Sequence, residues 1–274
     1  MSRIENALEK AIHIRKTEAV GTHHPEPLDS DAKAEERLKA LQNPYLVTLT
    51  EPDSPAAEEY RKLKAMVIKR TKEGPLRNTI MVTSCTSGEG KSVTSINLAV
   101  SLAQEISHRA LLIDADLRRP SIAQYLGIGS TVGLADCLRD GVSVSSAIIR
   151  TGVPKLDLLP AGKNARNPVE LLSSPNMKSL LADLKRNYPE RYIIIDTPPI
   201  LPFAETQIIS LLVEGVLLVV KEGAVTGQEL RDAIDILQGS RILGITFNDV
   251  SSQSQNGRYR HYYQYYAERQ QRQA

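Results

Sequence analysis

Tryptophan is absent from this chain, and phenylalanine (Phe203, Phe247) and cysteine (Cys85, Cys137) each occur only twice. Two lone cysteines make neither a disulfide framework nor a Cys-x-x-Cys metal pair, which points to a reducing compartment. Long apolar runs are missing as well. The longest, Leu211 to Val220, is broken by Glu214 and Gly215, far short of the ~20 residues that span a bilayer. No charged–apolar–small leader opens the chain. Neither sign of charge dominates, with 34 Lys and Arg against 32 Asp and Glu, so no nucleic-acid partner is expected. These absences predict a cytoplasmic protein, with any link to a membrane either peripheral or through a partner.

The aromatic residues present are unevenly placed. Of ten tyrosines, five fall within one short polar stretch near the C-terminus: Tyr259, Tyr262, Tyr263, Tyr265 and Tyr266. Rings crowded there do not serve a core, whereas Tyr45, Tyr60, Tyr125, Tyr188 and Tyr192 are expected to be structural. The 274 residues suffice for one large or two small domains.

Four regions are predicted along the chain. Residues 1–20 read as an amphipathic helix, with Ser2 and Glu5 as a capping box and an apolar stripe of Ile4, Ala7, Leu8, Ala11 and Ile12. Residues 21–42 are polar and read as a linker. Residues 43–250 form the main domain and 251–274 a flexible tail. Within the domain, 43–71 reads as extended and then helical, with Pro55 at the helix start. Beyond Asn78 strands alternate with helices. The strands are Thr79–Ser84, Ala110–Ala115, Leu156–Pro160, Tyr192–Asp196, Gly215–Val220 and Arg241–Phe247; the helices include Ser92–Glu105, 175–187 and 226–238. Continuous apolar strands separated by helices predict an α/β fold, a mostly parallel central sheet with helices on both faces.

The strongest chemical signal is VTSCTSGEGKSVTSINLA at 82–99, a strand, a glycine-rich loop and a helix. Its GxGKS end is that of a P-loop, in which backbone amides and a helix N-terminus cradle phosphates. Ser87, Gly88, Glu89, Gly90, Lys91, Ser92 and Val93 are the candidate nucleotide contacts. Lys91 would reach the β- and γ-phosphates and Ser92 would bind Mg²⁺. One departure stands out, because the full pattern begins with glycine where this chain has Cys85. Asp114 and Asp116 end one strand and Asp196 ends another, at the edge where open α/β sheets bind ligands. These carboxylates suit a hard cation and the activation of a nucleophile. Lys91, Asp114, Asp116 and Asp196 are therefore the catalytic candidates, and Ser92, Asp114, Asp116 and Asp196 the metal candidates. Arg118 or Arg119 would stabilise transferred charge, or form a solvated pair before Pro120.

GEGKS, LLIDADLRRP and YIIIDTPP together resemble the Walker A, A′ and B motifs of the bacterial tyrosine kinases of exopolysaccharide and capsule systems. The likeness runs from about Ser54 to the C-terminus and includes ARNPVELLSS. The opening MSRIENALEK resembles the subgroup encoded beside exosortase-linked loci. The resemblance implies a P-loop NTPase of the deviant-Walker type that uses ATP and Mg²⁺ to phosphorylate its own C-terminal tyrosines, with Asn248 as an adenine contact. It implies a ring of identical subunits joined through Glu58, Arg61 and Lys64, the last standing where the family motif has arginine. It also implies a membrane chain-length regulator as activator, recruitment to the inner face of the plasma membrane, and a cognate phosphatase. Other readings are a positioning ATPase, whose extra P-loop lysine is replaced here by Thr86, a nucleic-acid module using the Arg/Tyr tail, and a silent scaffold.

Overall fold

The computed structural model describes residues 43–72, 78–129, 132–163 and 166–250. The expected N-terminal helix, the linker and the tyrosine tail lie outside those residues. In chain order the helices are α1 (Val47–Thr50), α2 (Pro55–Thr71), α3 (Lys91–Ala103), α4 (Ile122–Tyr125), α5 (Leu134–Asp140), α6 (Val144–Ala147), α7 (Pro168–Leu172), α8 (Pro175–Asn187), α9 (Ala204–Ser210) and α10 (Gly227–Ile236). The strands are β1 (Thr79–Ser84), β2 (Arg109–Asp114), β3 (Ile149–Arg150), β4 (Leu156–Leu159), β5 (Arg191–Asp196), β6 (Gly215–Lys221) and β7 (Ile242–Asn248).

They build one sheet in the order β3-β4-β2-β5-β1-β6-β7, parallel except for the β3–β4 pair. Side chains alternate between its faces, and each face has its own core. Ile80 and Val82, Leu112, Ile194, and Leu217 and Val219 meet α2, α3 and α4 through Leu63, Val67, Ile96 and Ile122. Met81, Leu111 and Ile113, Ile193 and Ile195, and Val216 and Leu218 meet α5 and α7 to α10 through Leu134, Leu172, Leu181, Ile209 and Ala233. Burial on both sides explains why β1, β5 and β6 read as unbroken apolar runs. Among the described residues no helix is long and apolar enough to cross a membrane.

Two local features depart from the sequence reading. Residues 47–50 coil into α1 rather than extending, because the Thr48 amide and hydroxyl both donate to Asn97 Oδ1 on α3, at 3.1 and 2.8 Å. β3 was not foreseen; two residues are too few to show a period. Of the five tyrosines expected to be structural, Tyr188 and Tyr192 are buried, but Tyr45 is exposed and sits edge-on to Tyr125.

The strand order positions the site. From β1 the chain runs through α3 to β2 on one side, whereas β5 hands on to β6 across β1 to the other. A crevice opens at the carboxyl ends of such strands. In the parallel register Asp114 lies directly beside Asp196.

Candidate active site

Between Ser84 and Lys91 the chain must turn within six residues. Gly88 and Gly90 allow it, with φ of 85° and 87°, a region costing other L-residues roughly 1–2 kcal/mol. A Cβ on Gly90 would also stand 2.0 Å from the Asn248 amide nitrogen. Cys85 needs no such freedom, since Lys155 and Asp249 are the only non-glycine residues with positive φ among those described. Burial, then the charge of Glu89, push its thiol up to about 12, so it stays neutral.

The first intrahelical bond of α3 joins the Thr94 amide to the Gly90 carbonyl at 2.9 Å. The amides of Lys91, Ser92 and Val93 precede that ladder and, with the helix dipole, favour an anion. Lys91 Nζ donates to Asp116 Oδ2 at 2.8 Å and lies 3.8 Å from Asp196 Oδ2. Burial alone would lower the ammonium's pKa, but Asp196 and Asp116 outweigh it and hold the group above its usual value. Ser92 Oγ donates to Asp196 Oδ2 at 2.7 Å and Ser95 Oγ to Oδ1 at 3.1 Å. Asp196 is fully buried, and desolvation raises its pKa despite Lys91. Asp114 is buried too. Its Oδ2 accepts from the Ser121 and Ile122 amides, each at 3.1 Å, while Oδ1 has no hydrogen-bond partner. Desolvation, followed by the Asp196 charge, pushes Asp114 up to about 8.

Ser87, Gly88, Lys91 and Asp116 open onto a cavity of about 420 Å³ completed by Arg118, Arg119, Pro199 and Phe203. The structure thus gathers Ser87, Gly88, Lys91, Ser92 and all three aspartates at one place. Other predicted residues have different surroundings. Glu89 turns inward, fully buried, and its carboxylate accepts from the amide and hydroxyl of Thr86 and from the Lys221 amide. Asn248 donates to the Glu89 carbonyl at 3.0 Å, so these two side chains brace the loop against β6 and β7. On α2, Glu58 and Arg61 pair at 2.6 Å on the surface, whereas Lys64 turns to Glu105. Arg118 pairs with the fully buried Glu205, and Arg119 lines the cavity. Ser95 escaped the sequence reading, although its place three residues after Ser92 puts it on the same helix face. Phe203 and Glu205 left no such signal.

No group of three or more His, Cys, Asp or Glu side chains is arranged to hold a metal by itself among the described residues. The donor set here is instead a hydroxyl and carboxylates beside an anion-binding loop, suited to a cation that arrives with phosphates.

A phosphate-cradling loop whose lysine rests on strand-end carboxylates, set on this sheet, defines a P-loop NTPase of the deviant-Walker type. A family model described as an AAA domain matches residues 77–241. Tyrosine-protein kinase YwqD of Bacillus subtilis is 35% identical over 218 residues, 78% of this chain and 90% of that protein. The putative tyrosine-protein kinase EpsB of Ralstonia solanacearum is 35% identical over 81% of this chain, which spans only 30% of that relative. Among solved structures, the kinase domain of Escherichia coli tyrosine kinase ETK superposes with a TM-score of 0.71 at 28% identity, covering 77% of this chain and 82% of that one. The chain belongs to the bacterial tyrosine-protein kinases. Membership carries the enzyme class, protein-tyrosine kinase, rather than that of a positioning ATPase.

Proposed function

We propose that this kinase transfers the γ-phosphoryl group of ATP to Tyr259, Tyr262, Tyr263, Tyr265 and Tyr266 of a neighbouring copy, and thereby regulates exopolysaccharide polymerisation and export. The observation that carries the reading is Lys91 held between Asp116 and Asp196 at the phosphate-cradling loop. Phosphate oxygens compete for that ammonium. Once it turns to the β- and γ-phosphates, Asp116 is released at the cavity wall. Ser92, Asp114, Asp116 and Asp196 are the residues that would hold Mg²⁺, which when bound neutralises phosphate charge.

In the transfer, the acceptor phenol oxygen bonds to the γ-phosphorus while the bond from that phosphorus to the β,γ-bridging oxygen breaks. ADP departs with the electron pair. A free phenol keeps its proton at neutral pH, its pKa being near 10, so the proton must be taken. Asp114 or Asp116 takes it, and of the two Asp116 is the one that lines the cavity. For the nucleoside, a second cavity of about 470 Å³ offers Val225, Leu230 and Phe247 as an apolar wall for a purine, while the Asn248 side chain turns to the loop instead.

Reach and charge are compatible with transfer between copies. Eighteen residues separate Asn248 from Tyr266, at most ~60 Å extended and roughly 23 Å root-mean-square if flexible. After residue 250 the chain has four Arg and one Glu, and five phosphotyrosines would add about −8 to −10. Phosphorylation would invert the tail's sign and loosen a ring built through Glu58, Arg61 and Lys64. The family resemblance adds a membrane chain-length regulator that recruits and activates the kinase at the inner face of the plasma membrane, and a phosphatase that resets it.

The test is phosphotyrosine mapping by mass spectrometry after incubation with Mg·ATP. The five tail tyrosines should be labelled, Lys91→Met should abolish the signal, and replacing the five by Phe should remove most phosphate while sparing ATP binding. A Lys91→Met chain that still labels itself would overturn the site. Label persisting elsewhere in the five-Phe chain would overturn the tail as acceptor. Mixing a Lys91→Met chain with an active chain lacking the tail should yield labelled Lys91→Met chain; none would confine transfer to a single chain.

A further inference from the structure

Phe203 has no part in the reaction above, yet it lines the same cavity as Lys91 and Asp116. Local structure does not call for it. It stands at the N-cap of α9 and makes no side-chain cap bond, at a position where Ser or Asp would stabilise the helix start. It is also one of only two phenylalanines in the chain. Its surroundings hold it firmly. The Arg118 guanidinium lies over the ring, 4.6 Å from the centroid. That guanidinium is tied to Glu205, fully buried two residues further on. Ring, cation and carboxylate form a fixed wall, and Pro199 adds apolar surface.

The direction of the cavity says what this wall meets. Lys91 marks the β- and γ-phosphate end, and Asp116 lies against it. A group entering between that end and Phe203 approaches the γ-phosphoryl from outside the nucleotide. We propose that Phe203, fixed beneath Arg118 by Glu205, is a platform for the acceptor ring and selects tyrosine over serine and threonine. Aromatic pairs attract at centroid separations of 4.5–7 Å beyond the area they bury. A tyrosine can lay its ring on Phe203 and send its hydroxyl on to the γ-phosphorus. A serine hydroxyl has no ring to engage the wall, and its short stem would force the peptide backbone past Arg118. The inference rests on the kinase reading of this cavity, not on the tail being the acceptor.

The experiment is steady-state kinetics of the full chain on two acceptors, a peptide of residues 256–268 and an unrelated tyrosine peptide, each with a serine counterpart. Phe203→Ala should raise the acceptor KM roughly 3- to 10-fold for both tyrosine peptides, the size expected for a lost ring contact. The kcat and the KM for ATP should stay within about twofold, since the contact is present in ground and transition states alike. Phe203→Trp should restore the KM, Phe203→Leu should not, and the preference for tyrosine over serine should shrink in the Ala variant. An acceptor KM unmoved by Phe203→Ala would overturn the proposal. So would a parallel loss of ATP affinity in the Ala and Leu variants, which would put the ring against the nucleotide. If the tail is not the acceptor, the signature differs: the 256–268 peptide takes no phosphate while the unrelated peptide still reports on Phe203.

Discussion

Gly90 answers to two constraints at once, a left-handed φ and the Asn248 side chain pressed against its α-carbon. Gly90→Ala should therefore cost about 1–3 kcal/mol of stability, the φ penalty plus the displacement of Asn248. Adding Asn248→Ala should relieve the collision but not the backbone strain, so a double-mutant cycle in urea should show coupling between the two. Simple additivity would mean that the amide does not hold the loop. Of the site's residues, Lys91, Ser92 and the three aspartates were legible because each chemical role demands its residue type. The structural duty of Glu89 was not, since a glutamate in a glycine loop gives no hint that it folds inward to bind the Thr86 and Lys221 amides.

Among elements, the central and edge strands differ in what their residues support. Ile194 on β5 is fully buried with strands on both sides, while Ile245 on the edge strand β7 is 38% exposed. Ile194→Ala should cost ~2–5 kcal/mol, and Ile245→Ala less than about 1. Equal urea midpoints for the two variants would contradict the strand order. Strands and long helices were readable from period and caps: α10 is capped by Thr226, whose hydroxyl accepts from the Glu229 amide while the Glu229 carboxylate accepts from the Thr226 amide. The short α1 was not readable, because its helicity depends on Asn97, far along the chain.

For the whole molecule, His108 links stability to pH. It packs edge-on against Tyr192 at 5.1 Å, and burial, then Lys72, lower its pKa below the usual value. In the unfolded chain its pKa is about 6.5. As pH falls through that value the unfolded state takes up the proton first, so the contribution of His108 to stability declines and levels off only below the depressed folded pKa, opposite in sign to that of Asp114. His108→Gln should flatten that decline between pH 7.5 and 5.5, measured as urea midpoints against the parent chain. An unchanged slope would show that burial of this ring is not what titrates.

The sequence alone determined the class of fold and the chemistry on offer. Apolar strands between helices, a GxGKS loop and aspartates at strand ends are local patterns, written in periods and spacings of a few residues. Only the tertiary structure decided which groups face each other. It set Lys91 on Asp116 and Asp196, turned Glu89 inward and Asn248 onto the loop, and brought Phe203 and Arg118 to the same cavity as Lys91. Those contacts join residues far apart along the chain, and their geometry comes from strand order and register, which no short-range pattern encodes.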